Sequence, residues 1–189
     1  MVRIGITGNP GVGKHLTTKV LSRKFENIKV VDINKIIISN DAFFDERFHR
    51  NEVDLKRART LVKEEIRTDN IIVVGHLLPY LIKRQELEFI VILRRSPYSL
   101  IDIYKERKYS LEKIKENAAS EILGICFYDS LRTFGKGKIS EIDTTNNNLD
   151  EIVKRIMFDY ENKNKRQIRL IDWLELVYRN GDVQRFLEY

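Results

Sequence analysis

The sequence predicts an α/β fold in which helices flank a five-stranded parallel sheet. Three observations carry this. Apolar runs of strand length recur at Val2–Thr7, Ile28–Val31, Ile71–Val74, Phe89–Leu93 and Ile139–Ile142. The segments between them have helical periodicity, and strands alternating with helices imply parallel pairing through right-handed crossovers. The 189 residues include only three prolines and no Gly/Ser-rich linker or internal repeat, so 1–189 reads as one domain.

The first run, Val2–Thr7, opens the sheet, and Leu16, Val20, Leu21 and Phe25 follow at helical spacing over 14–25. Between them stands Gly8-Asn9-Pro10-Gly11-Val12-Gly13-Lys14-His15. It matches the phosphate-binding pattern G-x-x-x-x-G-K-[ST] everywhere but the last position. The glycines bring backbone N–H groups close to phosphate oxygens, and the lysine reaches the terminal phosphates. The Ser/Thr hydroxyl normally ligates magnesium. His15 stands in its place. A strand, a Gly-rich turn and a helix N-terminus together form an anion site, because free N–H groups and the helix dipole face the phosphate. The expectation is a bound nucleotide.

Ligands in such sheets sit at the C-terminal ends of the strands. This directs attention to Asp32, Gly75-His76, Arg94-Arg95 and Asp143-Thr144. Thr144–Asn148 reads as a turn, with Asn148 capping a helix that starts near Leu149. Gln167–Tyr189 carries Ile168, Leu170, Ile171, Trp173, Leu174, Leu176 and Val177. It reads as a helix that packs back on the sheet or binds a partner. Asn40–Arg50 is polar and aromatic, placed where a lid or acceptor-binding segment would lie. Lys105–Glu116 is highly charged, either a solvated helix face or a lid beside the phosphates.

The net charge is +6 and the pI about 9.3, which suits a polyanionic ligand and also allows contact with nucleic acid or a ribonucleoprotein surface. No 18-residue apolar run exists, so no membrane span or membrane partner is expected. The chain begins directly with the first strand, leaving no room for a signal peptide, and Cys126 is alone, which fits a reducing cytoplasm. Cys126 lies among Ile122, Leu123, Ile125 and Phe127 and reads as packing. Three histidines and one cysteine show no metal-ligand spacing, so no protein metal site is expected.

These segments, taken together, resemble the adenylate kinase 6 family. The resemblance rests on the phosphate loop, Gly75-His76-Leu77-Leu78-Pro79, Val91-Ile92-Leu93-Arg94, Arg107 through Cys126, and Ile142-Asp143-Thr144-Thr145. It runs to about Tyr160. It implies a P-loop kinase-type sheet with a nucleoside-monophosphate-binding segment at about 33–68, a lid at about 104–117 and a helical tail at about 165–189. It implies transfer of the ATP γ-phosphate to AMP or another monophosphate, with magnesium carried on ATP and weak ATP hydrolysis. It also implies a role in maturing the small ribosomal subunit, through a small-subunit ribosomal protein or pre-ribosomal particle.

Roles follow position by position. Gly11, Val12, Gly13, Lys14, His15 and Leu16 would surround the ATP phosphates. Arg107 would bring a guanidinium onto the transferring phosphate as the lid closes, and His76 would orient the attacking group. Arg94 would hold an acceptor phosphate or brace the site, and Arg47 and Arg50 would take the monophosphate side. The stretch around Asp143–Asn146 would border the adenine.

The chain departs from the family twice. The family loop reads Gly-Lys-Thr-Thr, whereas this one reads Gly-Lys-His-Leu followed by Thr17 and Thr18. Adjacent helical residues point about 100° apart, so those threonines face elsewhere. Two residues before His76 the family carries an acid, and here Val74 stands. Both departures fall on magnesium, which prefers oxygen to imidazole. The ion could still arrive on ATP, steadied by Asp32 or another acid. Two readings stand: a working monophosphate kinase, and a nucleotide-binding ribosome-assembly factor with little turnover.

Overall fold

The computed structural model describes residues 1–43, 53–163, 168 and 171–187. Its strands are β1 (Arg3–Thr7), β2 (Lys29–Asp32), β3 (Ile71–Val74), β4 (Phe89–Arg94) and β5 (Ile139–Asp143). All pair in parallel, in the order β2-β3-β1-β4-β5. Each lies within one residue, at either end, of a run legible in the sequence.

The helices are α1 (Lys14–Ser22), α2 (Ile33–Ser39), α3 (Leu55–Glu65), α4 (Leu78–Leu81), α5 (Pro97–Glu106), α6 (Leu111–Ile122), α7 (Ile125–Phe134), α8 (Leu149–Glu161), α9 (Trp173–Arg179) and α10 (Val183–Leu187). Burial of both sheet faces explains why β3 is apolar throughout rather than alternating. Ile71 and Val73 join one core with Ala58 and Val62 of α3 and Phe127 and Phe134 of α7. Ile72 and Val74 join the other with Ile4, Ile6, Leu21 of α1 and Ile156 of α8. Fully burying one such side chain contributes about 1.5–3 kcal/mol, so both faces are needed to hold the strand.

The caps agree with the residue types. Asn148 accepts a hydrogen bond from the Glu151 amide at 3.0 Å, and Glu151 accepts from the Asn148 amide at 3.2 Å. This reciprocal box fixes the start of α8 at Leu149, where the sequence places it. The tail differs from expectation. One helix over 167–189 is replaced by α9 and α10, separated at Gly181, whose φ of +71° ends the first of them. Trp173, Val177 and Phe186 pack on Ala118 and Ile122 of α6 as a third cluster, while Ile168 packs against the core that includes the sheet and the Ile171 amide donates to Glu141 of β5 at 3.0 Å. No described helix is long and apolar enough to cross a membrane.

Candidate active site

The loop between β1 and α1 passes the C-terminal end of β4. Gly8 has φ +138°, and a Cβ there would fall 2.3 Å from the Leu93 carbonyl oxygen, so no side chain is possible. Two hydroxyls hold the loop from outside. Tyr104 donates to the Pro10 carbonyl at 2.7 Å and Thr144 to the Val12 carbonyl at 3.1 Å. Inside, Lys14 Nζ donates to the Gly8 and Asn9 carbonyls, both at 2.8 Å. Burial lowers the Lys14 ammonium to about 8; Arg107 adds to the shift, while Cys126, Glu121 and Asp32 oppose it. The lysine is thus a buried cation held by neutral carbonyls, and incoming phosphate oxygens would stabilise its charge far better.

A buried acid anchors the same loop. Glu121, at the end of α6, is fully buried. Its carboxylate accepts from Asn9 Nδ2 at 2.7 Å, Arg94 Nε at 2.7 Å, the Arg95 amide at 3.1 Å and Trp173 Nε1 at 3.1 Å. Arg94 also donates to Glu141 Oε1 and to the Glu121 carbonyl, each at 2.7 Å. With its side chain 2% exposed and its nitrogens so engaged, Arg94 acts as a brace. Of the two roles offered for it, bracing the site is the one its contacts favour, because each nitrogen of the guanidinium already serves a protein oxygen. The Glu141 carboxyl is pushed up to about 7, first by burial and last by the neighbouring Glu121 charge, while the Ile171 amide and Arg94 oppose the shift.

The magnesium side is rearranged. Val74 is 1% exposed and sits in the apolar core, so nothing there can bind an ion. Thr17 and Thr18 are buried as well and do not replace the lost hydroxyl. Asp32 lies beside Val74 in register, one strand over, and paired residues of a parallel ladder share a face. His15 projects from the first turn of α1 to the same place, with Nδ1 3.4 Å from Asp32 Oδ2. An exposed imidazole and one carboxylate do not fit the hard, all-oxygen shell that magnesium takes.

The remaining candidates divide. Gly11, Val12 and Gly13 line the loop, and Leu16 is 65% exposed beside His15. His76 follows β3 at the same end of the sheet. Its ring reaches solvent, yet the surrounding protein and then the Lys14 charge hold the imidazole down to about 4, so it is neutral near pH 7. Arg107 is exposed at the end of α5, close enough for its charge to weigh on Lys14. Asp143 accepts from the Thr145 amide at 2.8 Å, shaping the turn after β5. Arg47 and Arg50 lie outside the described residues. Cys126 is buried against Thr7 and burial raises its thiol, in keeping with a packing role.

Sequence reading missed Asn9, Tyr104, Glu121, Glu141 and Trp173. Each works through a partner 27 to 112 residues away, and periodicity cannot pair residues at such range. The one available signal was an acid, Glu121, in the otherwise apolar stretch before Cys126.

A family described as "AAA domain" matches residues 4–124. A protein of Methanocaldococcus jannaschii named "Putative adenylate kinase" is 33% identical over 177 residues, covering 92% of this chain and 94% of the relative. A protein of the same name from Saccharolobus islandicus is 31% identical over 185 residues, covering 97% and 91%. Among solved structures, shikimate kinase from Bacteroides thetaiotaomicron superposes with a TM-score of 0.60 at 19% identity, covering 85% of this chain and 98% of that one. That last likeness concerns the fold, which is the parallel-sheet kinase architecture seen here.

Proposed function

The chain belongs to the family of those archaeal relatives, and on that premise we propose that it transfers the γ-phosphate of ATP to a nucleoside monophosphate, with AMP as the acceptor and slow ATP hydrolysis as a side reaction. The observation that carries this is Lys14, buried in the loop with a lowered pKa and neighboured by Arg107. Phosphoryl transfer passes through a loose, highly charged transition state, so catalysis is mostly positioning and charge neutralisation. The loop amides and Lys14 take the β- and γ-phosphates. Arg107 adds positive charge when the lid segment, about 104–117, closes. Neutral His76 accepts or relays a hydrogen bond at the attacking side without adding charge. Closure excludes water and favours the monophosphate over hydrolysis.

A second reading, a nucleotide-binding assembly factor with little turnover, is favoured by the paired losses at His15 and Val74. A coupled assay separates the two. Purified protein with ATP and a divalent cation is offered each monophosphate in turn. ADP formation that depends on AMP and disappears in Lys14→Ala supports the kinase. ATP binding without monophosphate-dependent turnover supports the assembly factor.

A further inference from the structure

Resting on the reading of the loop after β1 as the ATP site and of about 104–117 as its lid, we propose that the C-terminal tail, α9 and α10, is the fixed base on which that lid turns. By holding the base, the tail regulates how bound ATP is divided between transfer to the monophosphate and loss to water.

The lid is the bend between two helices whose far ends meet again. α5 leads into it and α6 leads out of it. Tyr98, in the first turn of α5, and Ala118 and Ile122, toward the end of α6, come together in the cluster built by Trp173, Val177 and Phe186 of the tail. The Tyr98 ring meets Phe186 edge-on, with centroids 5.2 Å apart. Its hydroxyl donates to Asp182 Oδ2 at 2.8 Å and accepts from Asn180 Nδ2 at 3.0 Å. The tail grips both arms of this hairpin, α5 by hydrogen bonds and an aromatic contact, α6 by apolar packing.

Burial falls from the base to the bend. Ala118, Ala119, Glu121 and Ile122 are all buried, whereas 105–108 and 110–113 are exposed, Leu111 at 79%. Local opening costs least where buried apolar contacts are few, so the bend can move while the base stays. Lys108, at the bend, has φ +56°, the left-handed turn that ends α5 and redirects the chain toward α6.

The same base holds the phosphate loop. Ser120 donates to Asn9 Oδ1 at 3.2 Å, and Asn9 Nδ2 donates to Glu121 Oε2 at 2.7 Å. Trp173 Nε1 donates to the other oxygen of that carboxylate at 3.1 Å. Loop, hairpin base and tail therefore share one fully buried acid. A tail loosened from α5 leaves the lid less firmly placed over the loop. Closure must exclude water for transfer to outrun hydrolysis, and an ill-placed lid admits it.

Tyr98→Phe tests this in the whole protein, because it deletes the hydroxyl and keeps the ring against Phe186. With ATP, AMP and a divalent cation, release of inorganic phosphate is compared with consumption of AMP. The ratio of hydrolysis to transfer should rise about three- to tenfold, the worth of the lost hydrogen bonds. Asp182→Ala removes one of the same bonds from the tail's side and should raise the ratio too, and the double variant should do less than the two singles add up to. Hydrogen exchange gives a readout that needs no turnover: saturating ADP should slow exchange over 105–113 in the wild type and slow it less in Tyr98→Phe. A tail that only adds stability would lower Tm while leaving the ratio and the ADP-dependent protection of 105–113 unchanged, and that result would overturn the proposal. Wild-type protein that binds ADP but consumes no AMP would overturn the kinase reading, while protection of 105–113 that weakens in Tyr98→Phe would still uphold the tail as the base of the lid.

Discussion

Asn9, inside the phosphate loop, donates its side-chain amide to Glu121 at 2.7 Å, across 112 residues of sequence. Through Glu121 the loop is tied to β4 by Arg94 and to the tail by Trp173. Trp173 is the chain's single tryptophan. Its fluorescence should therefore change when a nucleotide reorders the loop, and Asn9→Ala should abolish that change while leaving the protein folded. An unaltered response in Asn9→Ala would show that the signal reaches Trp173 by another route.

Removing Arg94 tests its role as a brace. Arg94→Ala would leave Glu121 and Glu141 buried without their cation, a loss of about 3–5 kcal/mol. For a chain of this size that corresponds to a fall in Tm of about 10 °C. Thermal unfolding reads it directly. If Arg94 instead held the acceptor phosphate, KM for AMP would rise with little change in Tm.

Glu141 predicts a pH dependence of stability. Its folded pKa, about 7, lies above the ordinary 4.5 because of burial. The native state therefore holds an extra proton between those values, and this contribution is full below 4.5 and lost as pH rises through 7. Glu141→Gln should flatten the decline in Tm between pH 5 and 8. An unchanged slope would place the titration on another group.

Lys14 predicts proton uptake on binding. Its free-state value is about 8, and phosphate oxygens would return it toward 10.5. Above pH 8, ATP binding should take up a proton, and affinity should fall by up to about tenfold per pH unit. Calorimetry at pH 8.5 in two buffers of different ionisation enthalpy measures the uptake. Equal apparent enthalpies would contradict it.

The lost magnesium contacts can be rebuilt. Val74→Glu alone buries a carboxylate in an apolar core and should lower Tm. Combined with His15→Thr and magnesium-ATP, it should raise turnover more than the two single changes add up to. Strict additivity would argue against a shared ion site.

The sheet was legible because each strand announces itself locally, as β3 does with four successive buried aliphatic residues. The loop was legible because glycine and lysine spacing records backbone geometry, and the Asn148 cap because its partner is three residues away, although the reciprocal bond from Glu151 emerged only in the structure. The Arg94–Glu121–Glu141 cluster was not. Arg94 at a strand end looks the same in sequence whether it faces a ligand or two buried acids. His15 and Val74 were visible as departures, but the place of Asp32 beside both required the β2–β3 register.

The most direct test of the account supplies ADP alone. A nucleoside-monophosphate kinase runs in both directions, so the protein with ADP and a divalent cation should convert two ADP into one ATP and one AMP. ³¹P NMR resolves all three nucleotides. We predict that ATP and AMP appear in equal amounts, well ahead of the slow release of inorganic phosphate, and that Lys14→Ala suppresses both. Unchanged ADP, or release of inorganic phosphate without ATP, would contradict the kinase assignment.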